Sequence, residues 1–264
     1  MDFELRGKRA LVSGSTAGIG FAIARALAAE GASVIVNGRT EERTAQAVAA
    51  IREGLPDADL QGVAADLGTA QGCAKIVQAV PEVDVLVNNV GIFEAKKFGD
   101  ITDAEWLHFF EVNVLSGVRL SRAYLPSMLA RNWGRILFIS SESALQIPVE
   151  MIQYGTTKTA QLAVARGLAE MTIGTAVTVN CILPGPTKSE GVGDFVAGLA
   201  KQQGKSAEDV ERDFFKSARP SSLLQRFETT DEIAALTAFI ASPRASGVNG
   251  AALRVDGGVV RAIG

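Results

Sequence analysis

The chain has 264 residues, 47% of them hydrophobic, with 27 glycines and no run of 18 apolar residues, which fits one large or two small globular domains without a membrane span. A net charge of -3 with no basic block argues against nucleic acid as the main partner, and Cys73, Cys181 and the single His108 are too few for a disulfide framework or a metal-ligand cluster. The opening Met1-Asp2-Phe3-Glu4-Leu5-Arg6 lacks the apolar core of a signal peptide, so a cytoplasmic protein is expected.

Lys8 to Ser13 is a short apolar run predicted as a strand. It leads directly into Gly14-Ser15-Thr16-Ala17-Gly18-Ile19-Gly20 and then a helical pattern through Ala29. In this order of strand, glycine turn and helix, the glycines allow a tight turn and close approach to a ligand, and the helix N-terminus offers unpaired N–H groups to a pyrophosphate. The spacing Gly-x-x-x-Gly-x-Gly also suits a purely structural turn.

Ser33 to Asn37 is the second predicted strand, followed by Gly38-Arg39-Thr40. No carboxylate stands there before Glu41 to grip a ribose hydroxyl, whereas Arg39 has the planar fork that clamps a 2′-phosphate, which favours NADP. Arg39 also fits an ordinary solvated side chain before the predicted helix Glu41 to Glu53. Leu60 to Ala65 predicts a third strand ending in Asp66-Leu67, and Val83 to Val87 a fourth ending in Asn88-Asn89-Val90-Gly91. Asp103 to Ala130 reads as one long helix with Asn113 facing inward, where a buried amide needs partners, functional or merely structural.

Gly134 to Ser140 predicts a buried strand with Ser141 at its end, and Tyr154 to Met171 a helix that puts Tyr154 and Lys158 on one face. An unperturbed tyrosine titrates at about 10, and an ammonium nearby favours the phenolate, so Lys158 is expected to lower the Tyr154 pKa. A phenol tuned in this way gives a proton to a carbonyl oxygen or takes one from an alcohol, with the Ser141 hydroxyl bonding that oxygen. Taken alone, Tyr-x-x-x-Lys equally describes an amphipathic surface pair. Ala176 to Ile182 predicts a sixth strand ending in Pro184-Gly185-Pro186-Thr187. A mixed, weakly helical stretch to Arg226 follows, then a helix through Ala241 capped at Thr230-Asp231-Glu232, and a last strand from Ala251 to Val255. Strands and helices alternate without a linker, which predicts one Rossmann-like, doubly wound α/β domain over 1–264, a parallel sheet of about seven strands with helices on both faces.

In the order and spacing of these motifs the chain resembles the short-chain dehydrogenase/reductase family over nearly its whole length. Gly14, Gly18 and Gly20 match the family's glycine motif, Asp66 its adenine-contacting acid and Asn88-Asn89-Val90-Gly91 its Asn-Asn-Ala-Gly motif. Pro184-Gly185 matches the segment beside the nicotinamide, and Asn113, Ser141, Tyr154 and Lys158 match the catalytic tetrad. Ser141 matches better than Ser140, since the family most often places the serine thirteen residues before the tyrosine. The resemblance implies Tyr154 as general acid/base, Ser141 on the substrate oxygen, Lys158 on the nicotinamide ribose, and Asn113 holding a water of the proton relay, with no metal. It further implies cofactor contacts from Gly14, Ser15, Thr16, Gly18, Ile19, Gly20, Arg39, Asp66, Leu67, Asn89, Val90, Gly91, Tyr154, Lys158, Pro184, Gly185 and Thr187.

Ser13 stands where threonine is usual, Val90 where alanine is, and Ala17 where many NADP-using members carry a basic residue, so the expected preference for NADPH rests on Arg39. The family covers many substrates and fold does not choose among them. The length of Thr187 to Arg226 favours a general ketone or alcohol oxidoreductase over a 3-oxoacyl-acyl-carrier-protein reductase or a sugar or polyol dehydrogenase. A non-catalytic NADP-binding redox sensor is the alternative outside enzymology. That stretch, 187–226, is expected to form a mobile lid, with apolar faces from Val192, Phe195, Val196, Leu199, Phe214 and Phe215 and loosening glycines at 191, 193, 198 and 204. The long helices at 103–130 and 154–171 are expected to pair between subunits, giving a homodimer or tetramer.

Overall fold

The computed structural model describes residues 2–189, 192–193, 198, 200–201 and 204–263. Seven strands form one sheet in the order β3-β2-β1-β4-β5-β6-β7: β1 Arg9–Val12, β2 Ser33–Gly38, β3 Leu60–Ala64, β4 Val85–Asn88, β5 Gly134–Ile139, β6 Val177–Pro184 and β7 Ala252–Val255. Every pairing is parallel. Parallel strands are covered on both faces, and the strand residues are apolar in unbroken runs for that reason. Alternate residues serve opposite layers: Val12, Val36 and Val87 join one buried cluster, Leu11, Ile35 and Leu86 the other.

Helices α1 (Gly18–Ala29) and α2 (Glu41–Gly54) cover the first face together with α8 (Thr230–Ala241), which packs against α1. The second face carries α3 (Ala70–Ala79), α5 (Ser116–Ala130) and α6 (Ile152–Glu170). The helix α3 has no counterpart in the sequence reading; Thr69 caps it by accepting the Gly72 N–H. Among the described residues, no helix is long and apolar enough to cross a membrane.

Two expectations are corrected. The single helix expected from Asp103 to Ala130 is α4 (Asp103–Phe110), one wider π turn (Glu111–Leu115), and then α5. A π turn inserts one residue into the helical ladder and releases backbone groups for outside partners. The Asn113 carbonyl is one of these: it accepts from Gln161 Nε2 at 2.6 Å. The cap of α8 is Thr229 rather than Thr230, in a reciprocal capping box with Glu232.

The segment between β6 and α8 carries α7 (Ala207–Ser217). Phe215, Val210 and Phe227 are buried there in a cluster of their own, with Phe214 and Val192 packed on it. Phe214 and Phe215 were expected to face a substrate, but mutual burial removes more apolar surface from water than an open cleft offers. Gly191, Phe195, Val196 and Leu199, also assigned to the lid, lie outside the described residues.

Candidate active site

The order of the sheet reverses between β1 and β4, and the carboxyl ends of the strands at such a switch point open onto a crevice. The glycine turn lies there. Gly14 and Gly18 have φ of 60° and 58°, and a Cβ on Gly20 would fall 2.4 Å from the Gly14 carbonyl oxygen and 2.5 Å from Asn89 Nδ2. Only glycine fits such a position. Ala17, which precedes α1, supplies no side-chain cap, so the first N–H groups of the helix are left to a ligand. These features fit the pyrophosphate of a dinucleotide.

Hydrogen bonds from neighbouring strands fix the turn. Asn89 Nδ2 donates to the Ser13 and Gly14 carbonyls at 3.0 Å each, and the Ser13 hydroxyl accepts from the Asn89 and Val90 N–H groups at 2.8 and 3.1 Å. Serine therefore does at position 13 what a threonine hydroxyl would. Some expected contacts are not available through side chains. Ser15 is fully buried, donating to the Val12 carbonyl and accepting from the Asn37 N–H, and Leu67 lies in the core. Asn89 holds the turn. Thr16, Ile19, Val90 and Gly91 line its open side, half-buried or exposed, while Asp66 and Arg39 are exposed at the ends of β3 and β2. The Pro184-Gly185 segment is tied by the Gly185 N–H to the Val255 carbonyl at 2.7 Å and to Glu228 Oε2 at 3.0 Å, and the Thr187 hydroxyl donates back to the Gly185 carbonyl. Burial pushes the Glu228 carboxyl up to about 7, and Asp256 adds to the rise.

The four tetrad candidates meet beyond the turn. Ser141 follows β5, and α6 begins two residues before Tyr154, which puts Lys158 one turn on, its Nζ 5.5 Å from the centre of the Tyr154 ring. Phe93 stacks edge-on against the same ring. Lys158 is buried and donates to the Ile139 carbonyl at 2.9 Å and to Gln161 Oε1 at 3.4 Å. Asn113 is fully buried: Oδ1 accepts the Ile92 N–H at 2.7 Å, and Nδ2 donates to the Ile92 carbonyl and the Thr157 hydroxyl. Its amide thus fixes the strand-end loop bearing Gly91, where a Cβ would lie 3.4 Å from Lys158 Nζ and 3.5 Å from Asn113 Oδ1. Ser140 donates to the Lys158 carbonyl at 2.9 Å, which ties the end of β5 to α6.

The expectation that Lys158 lowers the Tyr154 pKa is not met. Burial pushes Tyr154 up to about 12, opposed by its hydrogen bond with Ser141, while the charge of Glu142 raises it further and that of Arg219 lowers it. Burial also brings Lys158 down to about 8, because desolvation disfavours the ammonium as it does the phenolate. Sequence reasoning missed Gln161, Glu142 and Arg219. Gln161 carried a faint signal, a polar residue three after Lys158 and therefore on its side of the helix; Arg219 lies 77 residues from its partner Glu142 and carried none.

Fold and site together define a nucleotide-binding α/β oxidoreductase scaffold. The family model for short chain dehydrogenase matches residues 8–199. The chain is 49% identical over 263 residues to the uncharacterized oxidoreductase YvaG of Bacillus subtilis, covering 100% of each, and 35% identical to the D-beta-hydroxybutyrate dehydrogenase of Cupriavidus necator, covering 97% of this chain and 99% of that one. L-sorbose reductase from Gluconobacter frateurii, solved with NADPH and L-sorbose, superimposes with a TM-score of 0.94 at 30% identity over 100% of both chains. The chain belongs to the short-chain dehydrogenase family and is an oxidoreductase of the CH–OH/carbonyl class.

Proposed function

We propose that the protein is an NADPH-dependent reductase of ketones, acting reversibly on the matching alcohols, with Tyr154 as the proton donor. The observation that carries this reading is the convergence of Ser141, Tyr154 and Lys158 beside Gly91 at the carboxyl edge of the sheet. A nicotinamide bound along the edge supplies the hydride. The protein does the rest: Tyr154, protonated over the neutral range, gives its proton to the substrate oxygen as that oxygen gains charge, and Ser141 holds the oxygen in line. Lys158, its Nζ 5.5 Å from the centre of the Tyr154 ring, is placed to bind the ribose. Asn113 anchors the loop on which Gly91 sits.

NADPH preference follows from the end of β2. A Cβ on Gly38 would lie 2.4 Å from Thr16 Cγ2 and 2.9 Å from Thr44 Oγ1, so the position has no room for the acid that would grip a ribose hydroxyl. Arg39 next to it is exposed and free to reach a 2′-phosphate. Arg39→Ala is expected to lower kcat/KM for NADPH by about 10- to 100-fold, the equivalent of one charge-assisted hydrogen bond, and to leave NADH nearly unchanged. Equal losses with both cofactors would refute the assignment.

Among substrates, ketoses and short 3-oxo acids rank first, since they are the carbonyl compounds matched to the sorbose reductase and hydroxybutyrate dehydrogenase that this chain is similar to. The screen that tests the function follows NADPH consumption against ketoses, 3-oxo acids, 3-oxoacyl thioesters and simple ketones. Turnover of at least one class is expected. Tight NADPH binding with no turnover of any of them would favour the sensor reading.

A further inference from the structure

The glycine turn between β1 and α1 is held from the side by Asn37, the last residue but one of β2 and 1% exposed. β2 lies between β1 and β3, and its ladder to β1 ends with Val36 opposite Val12. Hydrogen bonds to Asn37 carry the connection on into the turn. Its N–H donates to the Ser15 hydroxyl at 2.9 Å, its carbonyl accepts the Ser15 N–H at 2.8 Å, and its side-chain Oδ1 accepts the Gly14 N–H at 3.0 Å. Gly14 is the residue whose φ of 60° opens the turn. On the other side of β2, Asn37 Nδ2 donates to the Val63 and Ala65 carbonyls at 3.1 Å each, with a longer contact to Gly38 at 3.4 Å. Ala65 immediately precedes Asp66 at the end of β3.

A carboxamide combines an acceptor with two donor protons, and here both capacities are used in opposite directions. Aspartate at this position could still accept from Gly14 but would set its second oxygen against two carbonyl oxygens. Leucine would leave the Gly14 N–H and those carbonyls without these partners in a buried place. The strands themselves do not need the amide, since β2 is paired along its length to both neighbours through the main chain. What it adds lies beyond the ladders, at the turn that fits a pyrophosphate and at the strand end beside Asp66. One dinucleotide would reach both points, the first with its pyrophosphate and the second with its adenosine. A site held in its binding geometry before the ligand arrives binds more tightly than one the ligand must order.

We propose that Asn37 is a positioning residue for the cofactor: its amide locks the glycine turn to the adenosine end of the crevice, so that the dinucleotide enters a site already formed. Asn37 is buried behind the turn and its amide protons are taken, so it acts on NADPH and NADH alike, whereas Arg39 tells them apart. The inference rests on the turn being the dinucleotide site read above.

The test needs no substrate. The Kd values of NADPH and NADH are measured by calorimetry on the full-length wild type and Asn37→Leu, well below the melting point of each, with circular dichroism on the same samples. Hydrogen–deuterium exchange of residues 13–20 follows the turn with and without NADPH. In Asn37→Leu both Kd values are expected to rise about tenfold or more with their ratio kept, as when the binding-competent form falls to about a tenth of the molecules. The turn should exchange faster in the cofactor-free variant than in the wild type, and slow again when NADPH binds. If Asn37→Leu does not fold, Asn37→Ser, smaller and without an amide, decides in its place. Wild-type Kd values in a folded variant, even one with a lowered melting point, would overturn the proposal, because the amide would then brace the fold alone. A loss confined to NADPH would place the effect at Arg39 and overturn it too, as would weaker binding with no change in exchange. A wild-type protein that bound neither cofactor would remove the dinucleotide reading and this inference with it; normal wild-type binding beside an unaltered variant would remove only the inference.

Discussion

Glu228 shows what the Pro184-Gly185 edge of the cleft costs. Its carboxylate fixes the Gly185 N–H, yet burial and the nearby Asp256 push its pKa up to about 7 from the 4.5 of a free glutamate. The folded chain then holds a proton between these two values that the unfolded chain releases, so this residue's contribution to stability falls as pH rises from 4.5 to 7 and stays unfavourable above. Glu228→Gln keeps an acceptor for Gly185 and removes the charge. The variant should melt about 5 °C above the wild type near pH 8 and level with it near pH 4. A melting point below the wild type at both pH values would show that the hydrogen bond outweighs the buried charge.

At the scale of elements, the π turn between α4 and α5 is held by two side chains from α6, Thr157 on the Asn113 amide and Gln161 on the Asn113 carbonyl. Gln161 Nε2 caps the Asn113 carbonyl, and Gln161 Oε1 accepts from Lys158, so the same amide ties the turn to the lysine of the candidate site. Gln161→Leu leaves that carbonyl buried without a partner, a loss of about 1–3 kcal/mol, and should lower Tm by roughly 3–10 °C. An unchanged melting curve would mean that the turn stands without it. This element also marks the limit of what the sequence could reveal. Strands were legible because parallel strands buried on both sides are continuous apolar runs, and the glycine turn because a Cβ at Gly20 has nowhere to go. The π turn was not, since Glu111 to Leu115 keeps the apolar pattern of an ordinary helix and the extra residue shows only in the ladder. The tetrad candidates could be found by spacing, but their electrostatics could not: the rise of Tyr154 comes first from burial, and the charges of Glu142 and Arg219, which only the fold brings near it, act on it with opposite signs.

Over the whole molecule, large apolar side chains stand exposed on α4 and just after α6, with Leu107 71% exposed, Met171 60% and Ile173 79%. Surface of this kind is what subunit contacts cover, and a homodimer or tetramer is expected. Light scattering at micromolar concentration should give two or four times the chain mass of 27.7 kDa; a monomer mass would contradict it. The central claim is that this edge of the sheet reduces carbonyl compounds with a proton from Tyr154. The most direct measurement compares NADPH consumption by wild type and Tyr154→Phe on the best substrate of the carbonyl screen, with NADPH affinity and circular dichroism measured on the same samples. The account predicts a folded, NADPH-binding variant slowed by about 10²- to 10⁴-fold; a folded variant that turns over at the wild-type rate would contradict it.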